Sequence, residues 1–203
     1  MKKILFTNKS LLIQSVFSGK KTQTRRIATF ENIDEPNIGT EIKGKAKGRK
    51  VICRGLDIIA KSQYCIGEVV AIAQSYFIVN VELAIREVPN SLREDYEGTA
   101  GWKNALYVRA DEMPHHIKIT HIRVERLQDI SDEDCMREGI IPIKSENVSQ
   151  INETGVIYYT FKGVTGIWTT PQYAFAALID KVCGKDTWKR NPFVFVYDFK
   201  LID

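Results

Sequence analysis

A period-two alternation near the C-terminus limits what the chain can fold into. Phe193, Phe195, Tyr197 and Phe199 alternate with Val194, Val196, Asp198 and Lys200, the spacing of a strand with one aromatic face. Just before it, Thr170–Gly184 carries Pro171 in its first turn and Gly184 past its end, the punctuation of a helix. Two more helices are expected, both short. Asn8–Gly19 offers Asn8 as a cap, Leu12, Val16 and Phe17 as an apolar face, and Gly19 as a left-handed stop. Ser131-Asp-Glu-Asp opens a capping-box-like start with acids near the positive helix end, and Gly139 closes that segment.

Between these helices lie β-forming runs. Gly67–Val79 is rich in β-formers and long enough for one bent strand or two short ones. Ile117, Ile119, Ile122 and Val124 form a strand whose apolar alternation slips one register near His121, which suggests a β-bulge. Gly155–Phe161 is a further strand. Glu31–Lys50 loses periodicity and carries Pro36, Gly39, Gly44 and Gly48, so a long loop is expected there. Pro89–Trp102 is polar and turn-rich, a second excursion. Strands interrupted by three short helices give an α+β fold, a small barrel with helices over its ends.

The 203 residues make one domain the default. With 44% apolar and 27% charged residues, the composition is that of a soluble globular protein. No apolar run approaches the roughly 18 residues of a membrane span, and Met1-Lys-Lys-Ile-Leu-Phe6 lacks the features of a signal peptide. Cys53, Cys65, Cys135 and Cys183 are scattered without a CxxC pair, as suits a reducing cytoplasm. Cytoplasmic localisation without a membrane partner is the expectation. The net charge of +4 permits a polyanionic partner without requiring one.

Gly39-Thr-Glu-Ile-Lys-Gly44-Lys45 has the spacing of a phosphate-binding loop, but Ala46 stands where a magnesium-binding Ser or Thr belongs. It reads as a basic loop, within a Lys43–Arg54 stretch that holds no acid. His115, His116 and His121 are close in sequence, yet strand alternation turns His116 away from the other two. They read as solvated surface histidines, and no metal or cofactor is expected. Cys135 sits among acids, which raise a thiol's pKa, so it is a weak nucleophile.

Lys20-Lys-Thr-Gln-Thr-Arg-Arg26 leaves the end of the first helix with four positive charges and no acid. One reading is a solvated basic turn. The other is chemical: crowded cations lower the amine pKa of Lys21, and Thr24, three residues on, is a hydroxyl that such an amine can activate. Glu138 falls in the last turn of its helix, where the dipole disfavours an anion. It either points to water or is compensated by a nearby cation or ligand.

Gly19-Lys-Lys-Thr-Gln-Thr-Arg-Arg26 after a short helix resembles the signature of the ASCH domain, a PUA-like β-barrel family. Tyr64-Cys-Ile-Gly-Glu-Val-Val70 resembles the family's entry into a barrel strand. Ile117–Gly139 resembles the strand-then-helix segment of longer, phage-associated members, and Trp188–Lys200 resembles their C-terminal ending. The resemblance implies a small PUA-like barrel with short helices over its ends and long insertions near 30–62, 80–110 and 140–168. It further implies a cleft lined by the lysine–threonine–arginine segment. Small bacterial members remove the acetyl group from acetylated cytidine with a lysine, a threonine and a glutamate, which fall here on Lys21, Thr24 and Glu138. Arg25 departs from those enzymes, which have an apolar residue at its position.

Three functions follow as expectations. In the first, the protein binds RNA or a nucleotide. Arg25, Arg26 and the basic residues Lys43, Lys45, Lys47, Arg49 and Lys50 contact phosphate, while Tyr64 or Trp102 stacks on a base. In the second, it is an amidohydrolase acting on an acylated, acetylcytidine-like modified nucleoside through Lys21, Thr24 and Glu138, with Arg26 at the oxyanion. In the third, it is a phage or mobile-element accessory protein acting through protein contacts.

Overall fold

The computed structural model describes residues 1–6, 12–28, 50–53, 56–89, 95–143 and 157–202, with the backbone alone for 50–53 and 56–61. In chain order the elements are β1 (Lys2–Ile4), α1 (Leu12–Phe17), β2 (Gln23–Ile27), β3 (Lys50–Cys53), β4 (Leu56–Lys61), β5 (Val69–Ile72) and α2 (Tyr76–Ile85). They continue with β6 (His116–Arg126), α3 (Asp132–Arg137), β7 (Ile140–Ile143), β8 (Tyr158–Phe161), α4 (Pro171–Cys183), α5 (Thr187–Arg190) and β9 (Phe193–Leu201). The fold is α+β. Among the described residues, five strands hydrogen-bond in the open order β1-β5-β6-β9-β2, and β3-β4 and β7-β8 form two-stranded pairs. No helix among the described residues is long and apolar enough to cross a membrane.

Two compact units can be distinguished along the chain. One comprises Met1–Phe6, Glu68–Lys118 and Leu201–Asp203; the other comprises Thr7–Gly67 and Ile119–Lys200.

In the first unit, β1 runs parallel to β5 with Lys2 opposite Val70 and Ile4 opposite Ile72. The start of β6 is antiparallel to β5, with Val70 opposite Ile117. Ile4, Val70, Ala71, Ile72 and Ile117 are fully buried. Tyr76-Phe-Ile-Val79, expected to extend the strand, instead forms the first turn of α2. The Ser75 hydroxyl accepts from the Ile78 amide at 3.5 Å and supplies the N-cap that β-propensity does not register. Gly101 lies so close to the Tyr76 ring that an added Cβ would stand 2.4 Å from it, so the approach requires glycine.

In the second unit, β2 and β9 are antiparallel, from Gln23 opposite Asp198 to Ile27 opposite Val194. From Phe193 to Phe199, β9 is buried on both faces. Along β6 the buried positions change from Ile117 and Ile119 to Ile122 and Val124, the shift near His121 that the sequence suggests. Ser131 caps α3 by accepting from the Asp134 amide at 3.1 Å, and Gly139 ends it at φ 106°. Thr170 caps α4 at the Tyr173 amide in the same way. The expected Asn8 cap lies outside the described residues, while Gly19 adopts φ 69°. Within the expected insertions, β3 pairs with β4, and β7 pairs with β8.

Candidate functional site

The second unit's site begins at the turn behind α1. The Lys21 amide donates to Ser15 O at 2.8 Å, the Thr22 amide to Arg137 O at 2.9 Å, and the Phe199 amide to Thr22 O at 2.9 Å. These bonds tie the start of β2 to the C-terminal end of α3. Glu138 is the C-cap of α3, its own amide bonded to Asp134 O and Cys135 O.

The Lys21 amine donates to Glu138 Oε2 at 2.5 Å and to Glu138 O at 2.9 Å. Both side chains are buried, at 2% and 5% exposure. Of the two accounts open for Glu138, the structure takes the compensated one: a lysine and an arginine face its carboxylate.

That arginine is Arg25. Its NH1 donates to Glu138 Oε1 at 3.1 Å and to Gln23 Oε1 at 2.5 Å. Its Nε and NH2 both donate to Glu125 Oε1, at 3.0 and 2.6 Å, and NH2 also reaches Asp134 Oδ2 at 3.0 Å. Arg123 links Glu125, Asp134 and Asp198, and Arg137 links Asp134 and Asp198. Gln23 donates to Asp198 Oδ1 at 2.6 Å and to Asp134 Oδ1 at 3.2 Å. Lys21, Arg25, Arg123 and Arg137 thus face Glu125, Asp134, Glu138 and Asp198. Equal numbers of opposite charges are what make such burial tolerable.

Burial pushes the Lys21 amine below its ordinary 10.5, against the pull of Glu138, with Arg26 and then Arg25 adding to the downward shift. The direction is the one expected from the sequence, though burial rather than cation crowding leads it. Burial opposes ionisation of Arg25, but Glu138, Glu125 and Asp134 outweigh it and hold the guanidinium above its usual value. Burial also opposes the Asp134 carboxylate, but Arg123 and Arg25 hold it below the usual range. Cys135 is pushed up to about 12, chiefly by burial, and is inert as a nucleophile.

Thr24 stands opposite Tyr197 in the β2–β9 register, so alternation places it on the face away from Gln23 and Arg25 and together with Arg26. It is 5% exposed, and among the described residues its hydroxyl makes no hydrogen bond.

Several expectations are corrected here. Arg25 is not a phosphate contact, because its donors are spent on buried acceptors and its side chain is 1% exposed. Tyr64 is buried, packed edge-on against Tyr197 with ring centroids 5.1 Å apart, and so has no open face for a base. Trp102 belongs to the first unit, edge-on to Phe77, and lines a cavity of about 400 Å³ with Glu97, Thr99 and Lys103. Arg26 is half-buried. Lys43, Lys45, Lys47 and Arg49 lie outside the described residues, and Lys50 opens β3 rather than ending a loop. His115 is not solvated: it is buried, with Nε2 2.7 Å from Glu82 Oε1.

The sequence reading passes over Gln23, Arg123, Glu125, Asp134, Arg137 and Asp198. A signal exists for some of them. Gln23 and Arg25, then Arg123 and Glu125, are polar pairs two residues apart in strands, and Asp198 interrupts the apolar positions of β9. Polar residues on one face of several strands point to a shared buried network.

No family model, curated protein or solved structure matches this chain. What bears on function is the chemistry of the site itself.

Proposed function

We propose that the protein is an amidohydrolase of the PUA-like ASCH kind, acting on an acylated nucleoside of the acetylcytidine type. Lys21, Thr24 and Glu138 are its catalytic residues. One observation carries this reading: a buried amine with a lowered pKa rests on a buried carboxylate, and three residues along the chain Thr24 offers a hydroxyl that makes no described hydrogen bond. An amine base and an uncommitted hydroxyl are the two groups acyl transfer needs.

In the reaction, the Thr24 hydroxyl gives its proton to the unprotonated Lys21 amine as Oγ1 attacks the acyl carbonyl carbon. Arg26, on the same face of β2 as Thr24, stabilises the oxyanion that forms. The carbon–nitrogen bond then breaks, and the proton passes from Lys21 by way of the Glu138 carboxylate to the departing exocyclic amine. Water, deprotonated by Lys21, attacks the acyl-threonine ester, releases the carboxylic acid and returns the proton to Thr24. Nothing in this sequence of steps calls on a metal or an organic cofactor.

A second reading, nucleotide or RNA binding without turnover, is favoured by one feature: the Lys21 amine is bonded to Glu138 and not to Thr24. Acetate release from acetylated cytidine separates the two. The amidohydrolase reading expects release by the wild type, and a loss of roughly 10²–10⁴-fold in kcat for Lys21→Ala and for Thr24→Ala with nucleoside binding retained. No release by the wild type, or release undiminished in Lys21→Ala, overturns it. Salt-sensitive nucleotide binding without turnover, weakened by Arg26→Ala, supports the second reading.

A further inference from the structure

The Glu138 carboxylate has two oxygens and two different partners. Oε2 takes the Lys21 amine and Oε1 takes Arg25 NH1. The rest of the Arg25 guanidinium is bolted to Glu125 on β6 and to Asp134 on α3, with Gln23 of β2 as a further acceptor. Arg25 touches the proposed reaction only through Glu138, and it lies on the opposite face of β2 from Thr24. A planar fork joined to three elements fixes a carboxylate far more tightly than a single ammonium can.

We infer that Arg25 is a positioning residue for the Lys21–Glu138 pair: by holding Glu138 Oε1 it dedicates Oε2 to the amine and sets the carboxylate plane. The inference rests on the amidohydrolase reading for its catalytic consequence and on the geometry alone for its structural one. Arg25 also has an electrostatic part. Its charge disfavours a proton on Lys21, in the same direction as Arg26 and as burial, while Glu138 favours one.

Around the amine, Glu138 faces it from the end of α3 and Arg25 and Arg26 from β2. Beyond them stand Arg123 and Glu125 on β6, Asp134 and Arg137 on α3, and Asp198 on β9. The thiols of Cys135 and Cys183 lie near the Glu138 charge, and burial raises both, so neither adds a charge near neutrality. Removing Arg25 alone therefore leaves an excess of carboxylate, and the Lys21 amine holds its proton to higher pH.

The test compares Arg25→Met, Arg25→Lys and the double variant Arg25→Met/Glu125→Gln, which restores charge balance without the fork. Arg25→Met is expected to lose roughly 10–100-fold in kcat with KM near wild type. The pH above which the rate levels off is expected to rise. In the double variant that pH returns toward wild type while kcat stays low, since charge is rebalanced but the carboxylate is not held. Arg25→Lys, which retains the fold's charge count if Arg25→Met does not fold, is expected to lower kcat without moving the profile. Recovery of kcat in the double variant, or a wild-type kcat in Arg25→Lys, overturns positioning.

The titration of the Lys21 amine by nitrogen NMR does not depend on turnover. Its midpoint is expected to be higher in Arg25→Met than in wild type. A midpoint that does not move overturns the inference. A wild type without turnover but with that shift leaves Arg25 coupled to the pair and removes the amidohydrolase reading instead.

Discussion

Asp134 accepts from Arg25, Gln23, Arg123 and Arg137, and no other carboxylate among the described residues serves as many side chains. Because its folded pKa lies below 3.8, the stability it contributes is complete above that value and is lost as pH falls through the folded pKa. The urea midpoint should accordingly drop as pH is lowered below about 4. In Asp134→Asn the unfolding free energy should be lower at neutral pH, by about 3 kcal/mol, and the midpoint less sensitive to acid. An unchanged acid dependence in that variant would place the acid-labile group elsewhere. For Lys21 the slope with pH has the same sign, but below its folded pKa the buried ammonium is a penalty rather than a gain. That penalty is relieved as pH rises from the folded value toward 10.5. Lys21 and Glu138 were legible as candidates because each breaks a local rule, a cation among cations and an anion at a helix C-terminus. Arg25 was legible only in another role, as a phosphate contact, and Asp134 not at all, since the groups that explain them come from strands and helices distant in sequence.

At the scale of elements, α3 positions both Asp134 and Glu138, and its two ends are set by Ser131 and Gly139. Ser131→Ala removes the acceptor for the Asp134 amide and should cost about 1 kcal/mol in urea denaturation. In Gly139→Ala the new Cβ meets Leu12 Cδ2 at 3.5 Å, an ordinary contact, so the cost comes from the backbone at φ 106°. That cost should be about 1–3 kcal/mol. The same variant should reduce turnover by displacing Glu138, the residue before it; stability loss with full activity would argue against that dependence. Helices α3 and α4 were readable because capping hydroxyls, an N1 proline and terminal glycines are local signals. Helix α2 was hidden because Tyr76-Phe-Ile-Val79 favours a strand, and the Ser75 cap and the end of β5 at Ile72 decide otherwise.

For the whole molecule, the α+β class follows from the mixture of periods, but the pairing of β1 with β5 does not. Lys2 and Glu68 form an ion pair at 2.8 Å across 66 positions of sequence, a parallel contact that no turn signal announces. Ile4 in β1 is fully buried, and Ile4→Ala should cost about 2–5 kcal/mol and reduce amide protection in Val70–Ile72. Full protection there would mean that β1 adds little to the first unit.

If Lys21 and Glu138 work as one catalytic unit, a double-mutant cycle on acetate release from acetylated cytidine measures it. Lys21→Ala and Glu138→Gln should each lower kcat by roughly 10²–10⁴-fold. The double variant should be no worse than the more damaged single, because residues acting together lose activity non-additively. Losses that multiply in the double variant, or a wild-type rate in either single, would contradict it.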